Sequence, residues 1–280
     1  MNRKEWIIKY YNECTREYQL AWANKHNLAM HYGFWDSGVK KHSESLLRMN
    51  QFLAEKAGIK AGERVLDAGC GIGGSSIWLA ENLGAIVTGI NISQKQIDMA
   101  KRFARERGVE NLVKFYNRDF IDTKFPNKSF DVVWEIESMC HADDKRDFLK
   151  ETWRILKKGG RLIVADGFQK KEIFSKDEQR VMNEWLSGWA VPNLPKIRDF
   201  ENYLKSLKFR KIEFLDITQN VMPTSRRIYR LSVFGLPLWR LLKSLGLRTE
   251  TQVNNLVAGI RQHRILKDGL GAYGVFYAEK

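Results

Sequence analysis

An α/β fold, doubly wound about a parallel sheet, is what this sequence predicts, and three observations carry it. Apolar segments of strand length alternate with amphipathic helical segments, in units of about 30 residues, from Glu63 to Gly167. The glycine-rich stretch VLDAGCGIGGSS, Val65 to Ser76, closes the first strand and opens a helix. The chain has 280 residues, 44% of them hydrophobic, enough to bury a full core as one large domain or one domain with a cap.

The first sixty residues read as helices. Trp6, Ile7, Tyr10, Tyr11, Tyr18 and Trp22 recur at helical spacing, and HSESLLRMNQFLAEKAGI continues the pattern. ERVLDAG is the first strand and SSIWLAENLG the helix after it, closed by Gly84 where positive φ is tolerated. AIVTGIN is the second strand. SQKQIDMAKRFARERG is the next helix, opened by Ser93 with Gln96 three residues on, a capping-box pattern, and ended by Gly108. The strands VKFYNRD and DVVWEIES follow, separated by the turn-rich FPNKSF. A helix from about Lys145 to Leu156, the turn KKGG and the strand RLIVADG complete the series. After Gly167 the alternation lapses, and a helical segment with Trp185 and Trp189 intervenes. FRKIEFLDIT resumes as a strand, Val221 to Leu247 reads as helical, and GAYGVFYAEK is the seventh strand. Pro237 predicts a break of that basic, apolar segment into two helices. The expected organisation is a helical lid over 1–60, a ligand-binding core over 61–168, and inserted cap helices with the last two strands over 169–280, as one structural domain. No internal repeat is visible.

The net charge is +14, with a pI near 9.6, which concentrates anions at the surface. The charge is spread rather than blocked, so a nucleic-acid tail is not expected. No window approaches about 18 uninterrupted apolar residues, which leaves no membrane-spanning helix to propose. The start MNRKEWIIKYYNECTREYQ lacks an apolar signal core and reads as mature cytoplasmic protein. Cys14, Cys70 and Cys140 are scattered, without C-x-x-C spacing or a neighbouring histidine, so reduced thiols and no metal are expected.

Gly69, Gly71 and Gly74 form G-x-G-x-x-G at the place where open α/β sheets bind ligands. Two features speak against a dinucleotide. Asp67 stands at the mouth of the turn, where a carboxylate repels pyrophosphate and suits a cation. No Asp or Glu falls between Glu81 and Asp98, where a ribose-binding acid belongs. A cofactor with an ammonium and a sulfonium but no phosphate fits better, and S-adenosylmethionine is such a cofactor. VLDAGCGIGGSS, VTGINIS, NRDF and FDVVWEIESMCHADDK, in this order and spacing, resemble the class I methyltransferases, whose sheet is Rossmann-like. The chain is similar to their tocopherol, sterol side-chain and sarcosine/dimethylglycine group, strongly over residues 30–168 and in outline elsewhere.

The resemblance implies that Asp67, Gly69 and Gly71 approach the methionine end of the cofactor and that Glu135 lines it. Asn91, Ile92 and Gln96 take the ribose place, where Asn91 departs from the acid of many relatives. Asp119 accepts from the adenine amino group, with Phe120 beside the ring. MHYGFWD, with Tyr32, resembles the segment that closes over the cofactor, and aromatic faces stabilise a sulfonium. Gly33 suggests a close backbone approach there. Tyr11, Tyr18 and Trp22 either extend that lid or are plain core, and Trp35 and Met139 join Tyr18 and Trp22 as acceptor contacts.

Methyl transfer is a direct displacement, so alignment and exclusion of water are the main demands. A carbon acceptor adds one, a base for the proton that leaves. Glu137 and His141 are the candidates, at i, i+4 on one face if the segment after the fourth strand is helical, and they look like the tocopherol and sterol enzymes' corresponding pair; orienting the loop is the other role open to them. SRRIYRLSVFGLPLWRLLKSLGLR has the composition of a helix that lies on an anionic membrane, or of a cap whose arginines face water. The expectation is a methyltransferase, cytoplasmic or peripheral to a membrane, acting at carbon on a prenyl, sterol or quinol-like acceptor. A small-amine N-methyltransferase, a non-catalytic cofactor-binding protein and, as a minor reading, a dehydrogenase are the alternatives.

Overall fold

The computed structural model describes residues 2–21 and 27–280, without the side chains of residues 16 and 18–21. The helices α1 (Arg3–Ala21) and α2 (His42–Ala57) precede β1 (Arg64–Ala68), α3 (Gly74–Leu83), β2 (Ile86–Asn91), α4 (Gln94–Glu106), β3 (Val113–Asn117) and β4 (Phe130–Ile136). A 3-10 turn over Met139–His141 leads to α5 (Lys145–Ile155), β5 (Leu156–Gln169), α6 (Lys176–Gly188), α7 (Ile197–Ser206) and β6 (Arg210–Asp216). The chain then forms α8 (Thr218–Ser244), α9 (Glu250–Lys267) and β7 (Gly271–Glu279).

The seven strands form one sheet in the order β3-β2-β1-β4-β5-β7-β6. The first five strands in chain order run parallel, but β7 enters between β5 and β6 antiparallel to both. The strands expected to run parallel do so, and β7, whose direction the sequence leaves open, returns from α9 and pairs residue for residue from Gln169↔Gly271 to Arg161↔Glu279. Strand periodicity of two separates the core into two layers. Val65, Val87, Val132, Ile163 and Val275 pack against α2, α3, α4 and α8, and Leu66, Ile90, Val133, Leu162 and Phe276 pack against α5 and α7.

Four local expectations change. KKGG, expected as a turn, lies inside β5, which already pairs at Leu156 with Phe130 before a shift of register. The segment around Pro237 is not broken: α8 runs 27 residues through both Pro223 and Pro237. Pro237 is exposed, so the Val233 carbonyl that it leaves without an N–H partner faces water, where the loss costs least. A helix not expected from sequence, α9, follows it, opened by Thr249 and Gln252 as a capping box. At α4, Ser93 accepts from Gln96 N, but the Gln96 side chain turns to Asn91 instead of closing the box. Among the described residues no helix is long and apolar enough to cross a membrane, and none of their His, Cys, Asp and Glu form a metal-binding group.

Candidate active site

The strand order reverses between β1 and β4, and the carboxyl ends of β1, β2, β4 and β5 open there into two joined chambers. They hold about 820 and 830 Å³ of space, open mouths included. Tyr11, Met30, Glu137 and His141 line both and form the junction.

The first chamber sits on the glycine turn. Asp67, Gly69, Gly71, Asn91, Ile92, Gln96 and Phe120 line it together with Leu28–His31 and, from α1, Ile7 and Tyr11. Gly69 N and Cys70 N both donate to the Ile90 carbonyl, and Gly73 N to the Cys70 carbonyl. These three donors of the turn are therefore spent internally. Asp67 is buried, accepts from Ser76 Oγ, and burial pushes its carboxyl up to about 7, with no cation paired to it among the described residues. An arriving ammonium would reverse that shift. Asn91 is committed on both sides, accepting from Ser93 N and donating to Gln96 Oε1, so it ties the end of β2 to α4.

Several expected contacts stand elsewhere. Glu135 lies beneath the lining, where Oε1 accepts from Ser138 N, Ser138 Oγ and Met139 N; burial beside Asp166 raises its carboxyl well above the usual range. Asp119 accepts from Ile121 N and pairs with Lys4, outside the lining. Tyr32 lines the second chamber rather than the first, and the close approach at Gly33 is to Ser45 of α2, 2.0 Å from where a Cβ would stand. Trp35 donates to Thr224 Oγ1 and Met139 is core, so neither borders a chamber. Tyr18's side chain and Trp22 lie outside the described residues.

Glu137 and His141 do meet at the junction, but not as i, i+4 on a helix. Glu137 has φ +52, and only Met139–His141 winds as a 3-10 turn. Glu137 Oε1 accepts from Tyr32 N (2.7 Å) and Tyr273 Oη (2.6 Å), and burial raises its carboxyl to about 8. His141 Nδ1 lies 3.1 Å from the Ala190 carbonyl, which can only accept, so Nδ1 carries the proton and Nε2 accepts from Tyr11 Oη at 2.7 Å. Burial lowers the imidazole to about 4, so it stays neutral with its basic nitrogen turned to Tyr11.

The second chamber is walled by Trp185, Trp189, Val191, Leu194, Leu266 and Tyr273. Its acids are Glu137 and Asp166, the latter accepting from Cys140 N and Gly167 N and raised by burial to about 6. Asp166 and Tyr273 were missed in the sequence, although Asp166 stands near the carboxyl end of β5, toward the same sheet edge as Asp67 and Glu137. Lys145 was missed as well. It is 3% exposed and donates to the carbonyls of Cys140, Ala142 and Asn193, clamping the His141 turn to the loop before α7. Lys145→Met is expected to cost about 3 kcal/mol of stability by stranding three buried carbonyls, measured by denaturant unfolding.

Between pH 6.5 and 8 the ligand-free protein is expected to lose stability as pH rises. Asp67 and Glu137, raised to about 7 and about 8, hold protons in the folded state that the unfolded chain has already released, and they lose them across this window. His31, His42 and His141, lowered to about 4, stay neutral in the folded state but are still partly protonated in the unfolded state near pH 6.5, so they offset much of the effect at the lower end of the window and little of it by pH 8, where Lys145, lowered to about 8, begins to oppose it; the fall is therefore steepest between about pH 7 and 7.5. Thermal melts at half-unit pH steps check the sign.

A family model described as "Methyltransferase domain" matches residues 66–164. The chain is 40% identical over 197 residues to Methyltransferase GfsG of Streptomyces halstedii, covering 70% of each. It is 37% identical to 27-O-demethylrifamycin SV methyltransferase of Amycolatopsis mediterranei, over 70% of this chain and 71% of that one. It is 31% identical to cycloartenol-C-24-methyltransferase of Arabidopsis thaliana, over 84% and 70%. Among solved structures, the [4+2]-cyclase SpnF superposes with TM-score 0.80 at 22% identity, covering 99% of this chain and 96% of that one, a likeness of fold. With relatives this similar over more than two thirds of their own length, the chain belongs to the class I S-adenosylmethionine-dependent methyltransferases and is an enzyme of that family.

Proposed function

We propose that the enzyme methylates an apolar small molecule of prenyl, sterol or quinol type held in the second chamber, with S-adenosylmethionine in the first. The observation that carries this is the junction: a wall of Trp185, Trp189, Val191, Leu194 and Leu266 meets the cofactor chamber at Tyr11, Met30, Glu137 and His141. Asp67 would hold the cofactor's ammonium, Gly69 and Gly71 its methionine end, Ile92 and Gln96 its ribose, and Phe120 its adenine. When bound, the cofactor supplies an electrophilic methyl. Tyr11, which borders both chambers, would stand beside that methyl's path, and the apolar wall would exclude competing water.

At a carbon acceptor, the alkene π pair would form the new C–C bond to that methyl, with the sulfonium as the leaving group. The resulting cation gives its proton to Tyr11 Oη as the Tyr11 proton passes to His141 Nε2. Glu137, protonated at neutral pH, orients Tyr32 and Tyr273 through Oε1 instead of acting as that base. Oxygen is the second reading, favoured by the rifamycin relative's name, and the same relay would take a hydroxyl proton. Delivery of such an acceptor from an anionic membrane belongs to this proposal.

Incubation with methyl-labelled S-adenosylmethionine and a cell extract, followed by partition, tests it. Label in the organic phase is the expected result. Label in the aqueous phase, competed by small amines, would replace this reading with N-methylation, and absence of transfer would favour a non-catalytic protein.

A further inference from the structure

Eight of the twelve large apolar side chains exposed among the described residues fall between Tyr229 and Leu247. The reason lies in how α8 is used. Its fully buried residues end at Ser232; beyond that point one side of it leans on α9, with Gly235 against Leu256, and its outer side is open. Leu231, Phe234, Leu238, Leu241 and Leu245 recur at steps of three and four and share one face. Phe234 is 82% exposed and the others 47–63%. A continuous apolar strip of this kind is rare on a surface that meets only water.

The charge around the strip is of one sign. No Asp or Glu occurs from Ile217 to Thr249, whereas Arg226, Arg227, Arg230, Arg240, Lys243 and Arg248 lie within that stretch. Lys243 and Arg248 pair with Glu250 and Glu17. Arg226, Arg227, Arg230 and Arg240 form no ion pair among the described residues. Arg227 heads the same helical row as the strip, and Arg230 borders it.

We infer that the carboxyl-terminal half of α8 is a docking surface for an anionic lipid bilayer, its apolar strip entering the headgroup boundary and its free arginines lying among the lipid phosphates. A second copy of this chain fits poorly, because it would set Arg227 and Arg230 against arginines of the same sign. A nucleic acid offers nothing for Phe234 and its neighbours. A bilayer meets both demands at once. This surface deepens the delivery step above but is argued from α8 alone, so it stands or falls without any acceptor.

Sedimentation of the full chain with phosphatidylcholine vesicles, with and without phosphatidylglycerol, tests it. The expected result is binding to the anionic vesicles only, weakened by salt, with each of Arg227→Gln and Arg230→Gln lowering partition about fivefold. Phe234→Asp with Leu241→Asp should lower it tenfold or more, while thermal stability and S-adenosylhomocysteine binding stay unchanged, since both side chains are exposed. Undiminished binding by the aspartate variant would overturn the inference in favour of mere charge adhesion. Failure to bind either vesicle would also overturn it: a dimer dispersed by Phe234→Asp would assign the strip to a second copy, and a monomer would assign it to an acidic protein partner.

Discussion

Gly69→Ala is expected to abolish measurable S-adenosylhomocysteine binding in a calorimetric titration, with a loss of at least a hundredfold in affinity. Gly69 sits at φ +92, and an added Cβ would stand 2.2 Å from Ser138 Cβ. Ser138 cannot retreat, because its Oγ donates to the Ala68 carbonyl and to Glu135, and its N–H is held by the same carboxyl. The ends of β1 and β4 would have to separate, and those ends carry Asp67 and Glu137. Gly71→Ala is the control: its φ is +53, and its Cβ would meet nothing nearer than Met30 Sδ at 3.8 Å. Against the protein itself only the backbone strain remains there, about 1–2 kcal/mol, beside the space that the added methyl takes from the chamber Gly71 lines. Equal affinity losses in the two variants would refute the interlock of Gly69 with Ser138.

The second large effect is expected at the relay. His141→Ala and Tyr11→Phe should each lower kcat by about 10²- to 10⁴-fold with little change in cofactor affinity. The double variant should be no worse than the more impaired single one, since the two side chains act through one hydrogen bond. With the imidazole lowered to about 4 by burial, the acid limb of the wild-type rate profile should fall well below the usual histidine range. Additive losses, or a limb near pH 6.5, would remove Tyr11 and His141 from the proton path and leave them as wall.

The cofactor side was legible because its signals are local. A strand, a glycine turn and a capped helix are each written within a dozen residues, and Asp67, Asn91 and Gln96, named from the turn and from the resemblance, all line the first chamber. Alternation also exposed the first five strands, which run parallel and read as short apolar runs. What escaped depends on contacts distant in the chain. Lys145 looks like any lysine opening a helix until Asn193 closes over it, and Tyr273 gains meaning only from Glu137, 136 residues away. The orientation of β7 is likewise set by its neighbours and not by its own residues. Pro237 misled for a related reason: the penalty of a proline depends on whether the orphaned carbonyl is wet, which helical position alone does not tell.

The two chambers divide along the chain as well as in space. Apart from Tyr32 and the junction with its neighbour Cys140, the second chamber's walls come from residues 166–273, whereas the first is built from residues 7–141. The family model ends at residue 164, just before that boundary. If the second chamber takes the acceptor as proposed, substitution or recombination after Ala165 would change which molecule is received and leave the lining of the first chamber untouched. A lineage built this way diversifies its products by editing one half of a gene, which is the pattern expected when relatives keep one cofactor and differ in acceptor.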